Sequence, residues 1–270
     1  MNNLWKWLDL GTGTSDENLK EQKFSEENYI TYVVRESVQN SVDAWRKHYV
    51  DREDEQESNP ALIKFKFSKS EKDLGNYFSG LIEARQTLDA SGEFGSKYKD
   101  NLNFEDVDWF TIQDLNTGGI LGDLTDRTSD FWNFLLNWGR SNKLNEKVAT
   151  GGSKGVGRIT FPQSSRIKSV FNVTRRSDGL FTSGFALLNS GRGDPGNRLK
   201  EPYALFADEE LKDDCVWTLH DISKEFIKDF KLTDLQDDSQ TGTAIIIPFP
   251  QEELTRDVPN SYNNISASLI

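Results

Sequence analysis

The stretch Val34-Arg35-Glu36-Ser37-Val38-Gln39-Asn40-Ser41-Val42-Asp43-Ala44-Trp45 carries a carboxylate, an amide and a second carboxylate at helical spacing. At about 100° per residue, Glu36, Asn40 and Asp43 fall in one narrow stripe, and Ile30, Val34, Val38 and Trp45 fall on the opposite side. Such a helix can bury its apolar face and offer a base and a metal-binding amide on the other. The same pattern also describes a plain amphipathic helix with a solvated polar face. Two later features decide what the stripe can do. One is an acid that closes a strand before a glycine turn, Asp114-x-Asn116-x-Gly118-Gly119; the other is Gly152-x-x-Gly155-x-Gly157. A buried carboxylate at a strand end can accept a hydrogen bond from an exocyclic amine such as that of adenine. Glycine amides can cradle phosphates, and an amide oxygen, with phosphate oxygens and waters, suits Mg²⁺. A Glu near a terminal phosphate can position or deprotonate an attacking water.

These residues need elements to hold them, and the pattern supplies candidates. Ser25 is a good N-cap, with Glu26 and Glu27 in the first turn, and the helical pattern runs to about residue 48. Residues 61–67 alternate Ile63, Phe65 and Phe67 against Lys64 and Lys66, which predicts a half-buried strand. Residues 71–103 are polar and read as an insertion, with a short helix at 77–88. Residues 107–114 form a second strand ending on Asp114, and 129–139 an aromatic helix whose stripe suits a core. Strands are predicted at 167–174, 180–188, 214–222 and 243–249, with breaks at 191–196 and 202–208 and a short helix at 224–232. Strands that accumulate late, after helices, predict an α+β sandwich rather than alternating βαβ units. Ahead of all this, residues 1–24 read as an arm or strap packing Trp5 and Trp7 on a neighbouring surface, in this subunit or across a dimer. Its Gly-Thr-Gly-Thr lacks the Lys-Ser/Thr ending of a P-loop.

With 35% hydrophobic and 28% charged residues, the chain of 270 has the composition of a globular protein with a substantial core. No apolar run approaches the length of a bilayer span, and residues 1–11 lack the basic start and apolar stretch of a signal peptide. With Cys215 as the lone cysteine, a small core residue, the expectation is a cytoplasmic protein without an internal disulfide. A net charge of −12 argues against a broad nucleic-acid-binding face. Positive charge concentrates at Arg158, Arg166, Lys168, Arg175 and Arg176, which read as strands with solvated basic edges.

In their order and separation these motifs resemble the ATP-binding motifs of the GHKL superfamily, which includes gyrase B, the large heat-shock chaperones, histidine kinases and MutL. A fourth piece, Thr241-Gly242-Thr243-Ala244-Ile245-Ile246-Ile247, is similar to the Gly-Thr that starts a late core strand in that family. The resemblance spans roughly residues 25–250 and implies a two-layer α/β sandwich of the Bergerat type. Its sheet would be mixed, mostly antiparallel, with helices on one face. It implies a lid at about 120–157 and, at 251–270, a tail or the start of a following domain.

Carried over residue by residue, the resemblance makes Glu36 the catalytic base and Asn40 the Mg²⁺ ligand. Asp43 would orient the adenine-side network or a nearby basic group. Asp114 would bind the adenine amino group directly and through a water shared with Thr243, and Gly118, beside Gly119, would pack against the base. Gly152, Ser153, Lys154, Gly155, Val156 and Gly157 would form the phosphate-binding end of the lid. Lys143, in Ser141-Asn142-Lys143, is a second phosphate candidate. One departure stands out. Asn116 occupies a position where the family's second motif usually has Gly, and Asn tolerates left-handed backbone angles better than most residues.

Glu36 lies four residues before Asn40, where histidine kinases generally carry His or Asn, so the resemblance implies hydrolysis with water as acceptor. It further implies that ATP closes the lid and drives homodimerisation or engagement of a partner chain, one of which supplies a Lys to the γ-phosphate. The isolated domain is then expected to bind nucleotide but turn over slowly. A nucleotide-gated interaction module with little hydrolysis is the alternative, and a histidine-kinase-like catalytic domain is a weaker one. The divergent motif looks like those of prokaryotic ATPases in DNA repair and phage defence.

Overall fold

Alternating apolar residues in 61–67 and 107–114 place two strands side by side, and the later β-branched runs extend them into one sheet. The structure, a computed structural model, describes residues 4–9, 29–51, 59–90, 103–123, 126, 128–135, 157–188, 191–192, 199–206, 220–255 and 265–269. The first half of the chain contributes β1 (Trp5–Asp9), α1 (Tyr29–His48), β2 (Ala61–Lys69), α2 (Leu81–Ala90), β3 (Asp108–Leu115) and α3 (Asp130–Leu135). The second half contributes α4 (Gly157–Gln163), β4 (Ser169–Arg176), β5 (Gly179–Leu187), β6 (Gly191–Arg192) and β7 (Leu199–Phe206). It ends with α5 (His220–Asp229), β8 (Gly242–Pro248), α6 (Glu252–Thr255) and β9 (Ile265–Leu269). Three short 3₁₀ turns, Gly75–Phe78, Phe104–Asp106 and Thr233–Gln236, lie between these elements.

The nine strands form one sheet in the order β1-β7-β5-β4-β8-β3-β2-β9, with β6 pairing β7. Every described pairing is antiparallel. The class is therefore α+β. Among the described residues no helix is long and apolar enough to cross a membrane.

The expectation of two layers with helices on one face needs correcting. Strand residues point to opposite faces in turn, and the core splits accordingly. Ala244 and Ile246 of β8 belong to one buried cluster, and Ile245 and Ile247 to another. The second cluster packs under α1, α3, α4 and α6 through Val33, Phe131, Phe161 and Leu254. The first packs under α2, α5 and the 3₁₀ turns at 75–78 and 233–236 through Leu81, Phe226, Tyr77 and Leu235. Both faces of the central strands are apolar, so each needs a cover, and residues 74–84 and 226–235 provide the second one.

Phe171 on β4 organises that far face. Its ring lies 5.5 Å from Trp5, 5.5 Å from Phe78, 5.1 Å from Phe206, 5.2 Å from Phe226 and 5.5 Å from Phe230. Trp5 is thus in the core of its own chain, and its indole N–H donates to the Tyr77 carbonyl at 2.8 Å.

Two further expectations are overturned. Residues 202–208 were expected to break the strands, yet β7 runs to Phe206 through Pro202. Proline cannot donate to a ladder and is tolerated where pairing lapses. Here β5 pairs only residues 203–206 of β7, and the register with β1 shifts between Trp7 and Asp9, opposite Ala204 and Lys200. The strand expected at 214–222 has its end, 220–222, inside helix α5, and 214–219, with Cys215, lie outside the described residues.

Phe171→Ala is expected to cost about 3–5 kcal/mol, as removal of a buried ring does, whereas Val50→Ser, in the exposed turn just after α1, should stay within about 0.5 kcal/mol of wild type. Urea midpoints of the two variants check this.

Candidate functional site

The site face of the sheet lies beneath α1. The buried line of this helix runs through Val33, Ser37 and Ser41, and Ile30, Val34 and Val38 pack partly buried beside it. Spaced four apart, the three buried residues sweep about 80° of arc. The stripe of Glu36, Asn40 and Asp43 therefore borders the buried sector instead of opposing it. Glu36 and Asp43 are half-buried and Asn40 is exposed. Small serines make this possible, because they let the helix sit close to the sheet. Ser37 satisfies its hydroxyl within the helix by donating to the Val33 carbonyl, and Ser41 turns outward to the sheet.

Ser41 meets Asp114. Its hydroxyl donates to Asp114 Oδ2 at 3.0 Å, the Thr117 hydroxyl donates to Oδ1 at 2.5 Å, and the Thr243 amide donates to Oδ1 at 2.9 Å. One carboxyl thereby joins α1, the turn after β3 and the start of β8. The register makes this geometry inevitable: Asp114 faces Thr243 across the β3–β8 pair, and Thr243 faces Thr174 across the β4–β8 pair. A carboxylate offers about four acceptor positions, and three are used. Burial pushes the Asp114 carboxyl above the usual carboxylate range, and the donors from Thr117, Thr243 and Ser41 offset this only in part.

The turn that follows is held at both ends. Asn116 has φ +64°, so the left-handed tolerance expected of Asn is used. Its side chain adds something Gly could not: Nδ2 donates to the Pro60 carbonyl at 2.9 Å, while its amide donates to the Thr241 carbonyl at 2.8 Å. Gly118 and Gly119 have φ +77° and +75°. A Cβ on Gly118 would lie 2.4 Å from Nδ1 of His48, so the space beside this glycine already belongs to the last residue of α1. A Cβ on Gly119 would lie 2.6 Å from Thr174 Oγ1 and 2.7 Å from the Arg175 carbonyl. Gly242 is equally constrained, since a Cβ there would sit 2.1 Å from the Asp114 carbonyl oxygen.

The structure thus brings Asp114, Asn116, Gly118, Gly119 and Thr243 together, with Glu36, Asn40 and Asp43 on the helix that contacts them. Gly157 is the first residue of α4, which touches α1, β4, β5 and β8. Lys143, Gly152, Ser153, Lys154, Gly155 and Val156 lie outside the described residues. Three participants escaped the sequence reading. Ser41 follows Asn40 directly and a small hydroxyl there is a readable signal; Thr117 sits inside the glycine turn; Thr174 carries no local signal at all.

Other expected features fall elsewhere. Of the basic cluster, Arg158's side chain lies outside the described residues, and Arg166, Arg175 and Arg176 do not form solvated edges. Arg175 is buried, donating from Nε to the Leu235 carbonyl at 2.7 Å and from Nη1 to Asp238 at 2.7 Å. Arg166 lies over the Phe249 ring at 5.8 Å. Arg35 reaches Glu36 Oε1 at 3.3 Å and Tyr32 at 5.5 Å.

Fold and site define an α+β domain with one antiparallel sheet, covered on both faces and carrying a part-buried acid under the longest of the described helices. Beyond that class, no family model, no curated protein and no solved structure matches the chain.

A raised carboxyl means the folded chain binds the Asp114 proton more tightly than the unfolded chain does. Its contribution to stability is therefore lost as pH rises from the ordinary carboxylate value, about 3.9, through the higher folded value. Asp114→Asn keeps an acceptor for the Thr243 amide and removes the titration. The stability of wild type relative to Asp114→Asn should fall as pH rises through that window, as read from urea midpoints at a series of pH values. A rise would show that the donors outweigh burial.

Proposed function

We propose that the chain is an ATP-binding and ATP-hydrolysing domain of the GHKL type with a Bergerat-type site. The observation that carries this reading is the Asp114 carboxyl, fixed by α1, the glycine turn and the Gly242-Thr243 strand start at once. These are three of the four motifs on which the resemblance rests, and the antiparallel register brings them to one point. The acceptor position left on Asp114 suits the exocyclic amine of adenine.

The chain's own residues divide the remaining work. Asn40, exposed on α1, offers an amide oxygen toward Mg²⁺. Among the described residues no cluster of three or more His, Cys, Asp or Glu could hold a metal alone. A Mg²⁺ carried on phosphates, with one amide and waters, fits such a donor set. When bound, the metal would supply charge neutralisation at the phosphates. Glu36, one helical turn before Asn40 and half-buried at the rim, would orient the attacking water and take its proton. Asp43 extends the same stripe toward the base end. Lys143, Lys154 and the glycines from Gly152 to Gly157 would close over the phosphates.

The proposal extends to homodimerisation or a partner chain that supplies a further Lys, and to a cytoplasmic role in prokaryotic DNA repair or phage defence. The contact of Arg35 with Glu36 favours a second reading, in which nucleotide binding gates an interaction and hydrolysis is slight, because it engages the base in the resting chain.

ATP with Mg²⁺ should raise the melting temperature of wild type, and Asn40→Ala should remove the Mg²⁺-dependent part of the rise. Glu36→Ala should keep the rise and lower phosphate release by about 10²–10⁴-fold, the usual worth of a general base. If wild type binds but Glu36→Ala releases phosphate as fast, the gating module is the better description; no thermal response in wild type sinks both readings.

A further inference from the structure

The exit of the glycine turn is fastened to the sheet by a residue that none of the motifs includes. Arg176 closes β4, and its side chain is only 10% exposed. From Nη1 it donates to the Gly122 carbonyl at 2.7 Å and to the Ile120 carbonyl at 3.5 Å. Asp178 accepts from its Nε at 2.7 Å and also from its Nη2, so the guanidinium is held by both edges of a carboxylate. The Phe181 ring lies 4.7 Å beneath it. Every degree of freedom of the planar group is thereby restrained: the fork by Asp178, the plane by Phe181, and the outward donors by two loop carbonyls.

Its neighbours act on the same loop. Thr174 Oγ1 accepts from the Ile120 amide at 2.8 Å, so the end of β4 holds Ile120 from both its amide and its carbonyl. Gly119 lies against this assembly, since a Cβ there would sit 3.2 Å from Arg176 Cγ. The turn from Asn116 to Gly122 is consequently anchored twice. Asp114 and Asn116 fix its entry, and Thr174 and Arg176 fix its exit. Between the anchors stand Gly118 and Gly119, the residues with the greatest backbone freedom to lose.

Resting on the nucleotide reading above, we propose that Arg176 is a positioning residue for the base-binding turn. It touches neither base nor phosphate; it holds Gly119 through Gly122 in the conformation that receives adenine. The apparent affinity of a site falls with the fraction of protein already in the competent form. Freeing the turn so that about a tenth of molecules present it correctly weakens binding about tenfold.

The test compares wild type, Arg176→Ala, Arg176→Lys and Asp178→Asn by calorimetric titration with ATP–Mg²⁺, ADP–Mg²⁺ and adenosine, well below each melting temperature. Arg176→Ala is expected to weaken all three ligands by about tenfold, because the loss is at the base end. Arg176→Lys keeps the charge without the fork and should weaken them nearly as much, and Asp178→Asn should fall between wild type and Arg176→Ala. Turnover at saturating ATP should stay within about twofold of wild type, so that KM moves and kcat does not. Wild-type affinity in folded Arg176→Ala or Arg176→Lys overturns the positioning role. Weakened ATP with unchanged adenosine also overturns it, by placing the effect at the phosphates. If wild type itself binds none of the three, the nucleotide reading falls and takes this inference with it.

Discussion

The Asp114 carboxyl is the constraint on which the site depends. Its three donors come from segments separated by 73, 3 and 129 positions in the chain. Thr117 is near by virtue of the turn itself, whereas Ser41 and Thr243 meet the carboxyl only through the packing of α1 and the sheet register. Taking an acid out of water is expensive, and burial pushes the Asp114 carboxyl above the usual carboxylate range. Leaving any one donor unpaired in the same place would add a further cost of about 1–3 kcal/mol. The network is therefore stable as a unit and poor in partial form, which ties α1 to the sheet at one register only.

That requirement explains the shape of α1. A helix that sat on the sheet through Val34, Val38 and Trp45 would direct its polar stripe straight into solvent. Rotated onto Val33, Ser37 and Ser41, it brings Glu36 and Asp43 to the rim, half in and half out. On the proposed reading of Glu36 as a general base, such a place would serve it, giving access to water on one side and a fixed orientation on the other. The serines supply the rotation because a bulkier residue at 37 or 41 would lift the helix from the strands. The helix also ends usefully: Arg46, Lys47 and His48 fill its last turn, where positive charge complements the dipole, and His48 occupies the space that Gly118 leaves.

Much of this was legible in the residues, and the exceptions have physical causes. The period-2 run located β2, and apolar, strand-forming runs located β3, β4, β5 and β8, to within a few residues. Helix α1 was recognisable by its stripe, but the stripe alone could not give its rotation, which tertiary contact with Asp114 decides. The strand β7 was hidden by Pro202, whose local meaning as a breaker is overridden where the ladder lapses. The layering was hidden for a different reason. A strand buried on both faces reads as a continuous apolar run, as 244–247 does, and that says a second cover exists without saying which segment supplies it. The site followed the same division: acids, amides and glycines were visible by type, whereas Thr174 and Arg176 join only because β4 lies next to β8.

The far face and the site face divide the labour of the fold. On the far side, Phe171 stands among five aromatic rings, an arrangement in which each pair adds about 0.5–1.5 kcal/mol beyond its buried area. On the near side the same strands present Asp114, Thr174 and Thr243, with glycines at Gly118, Gly119 and Gly242 where side chains would collide. Such a surface stabilises little and loses conformational entropy at each ordered glycine. It is sustainable because the strands that carry it are already held from behind. On the proposed reading, such preorganisation would favour binding, since a turn ordered before the ligand arrives does not charge its ordering to the ligand.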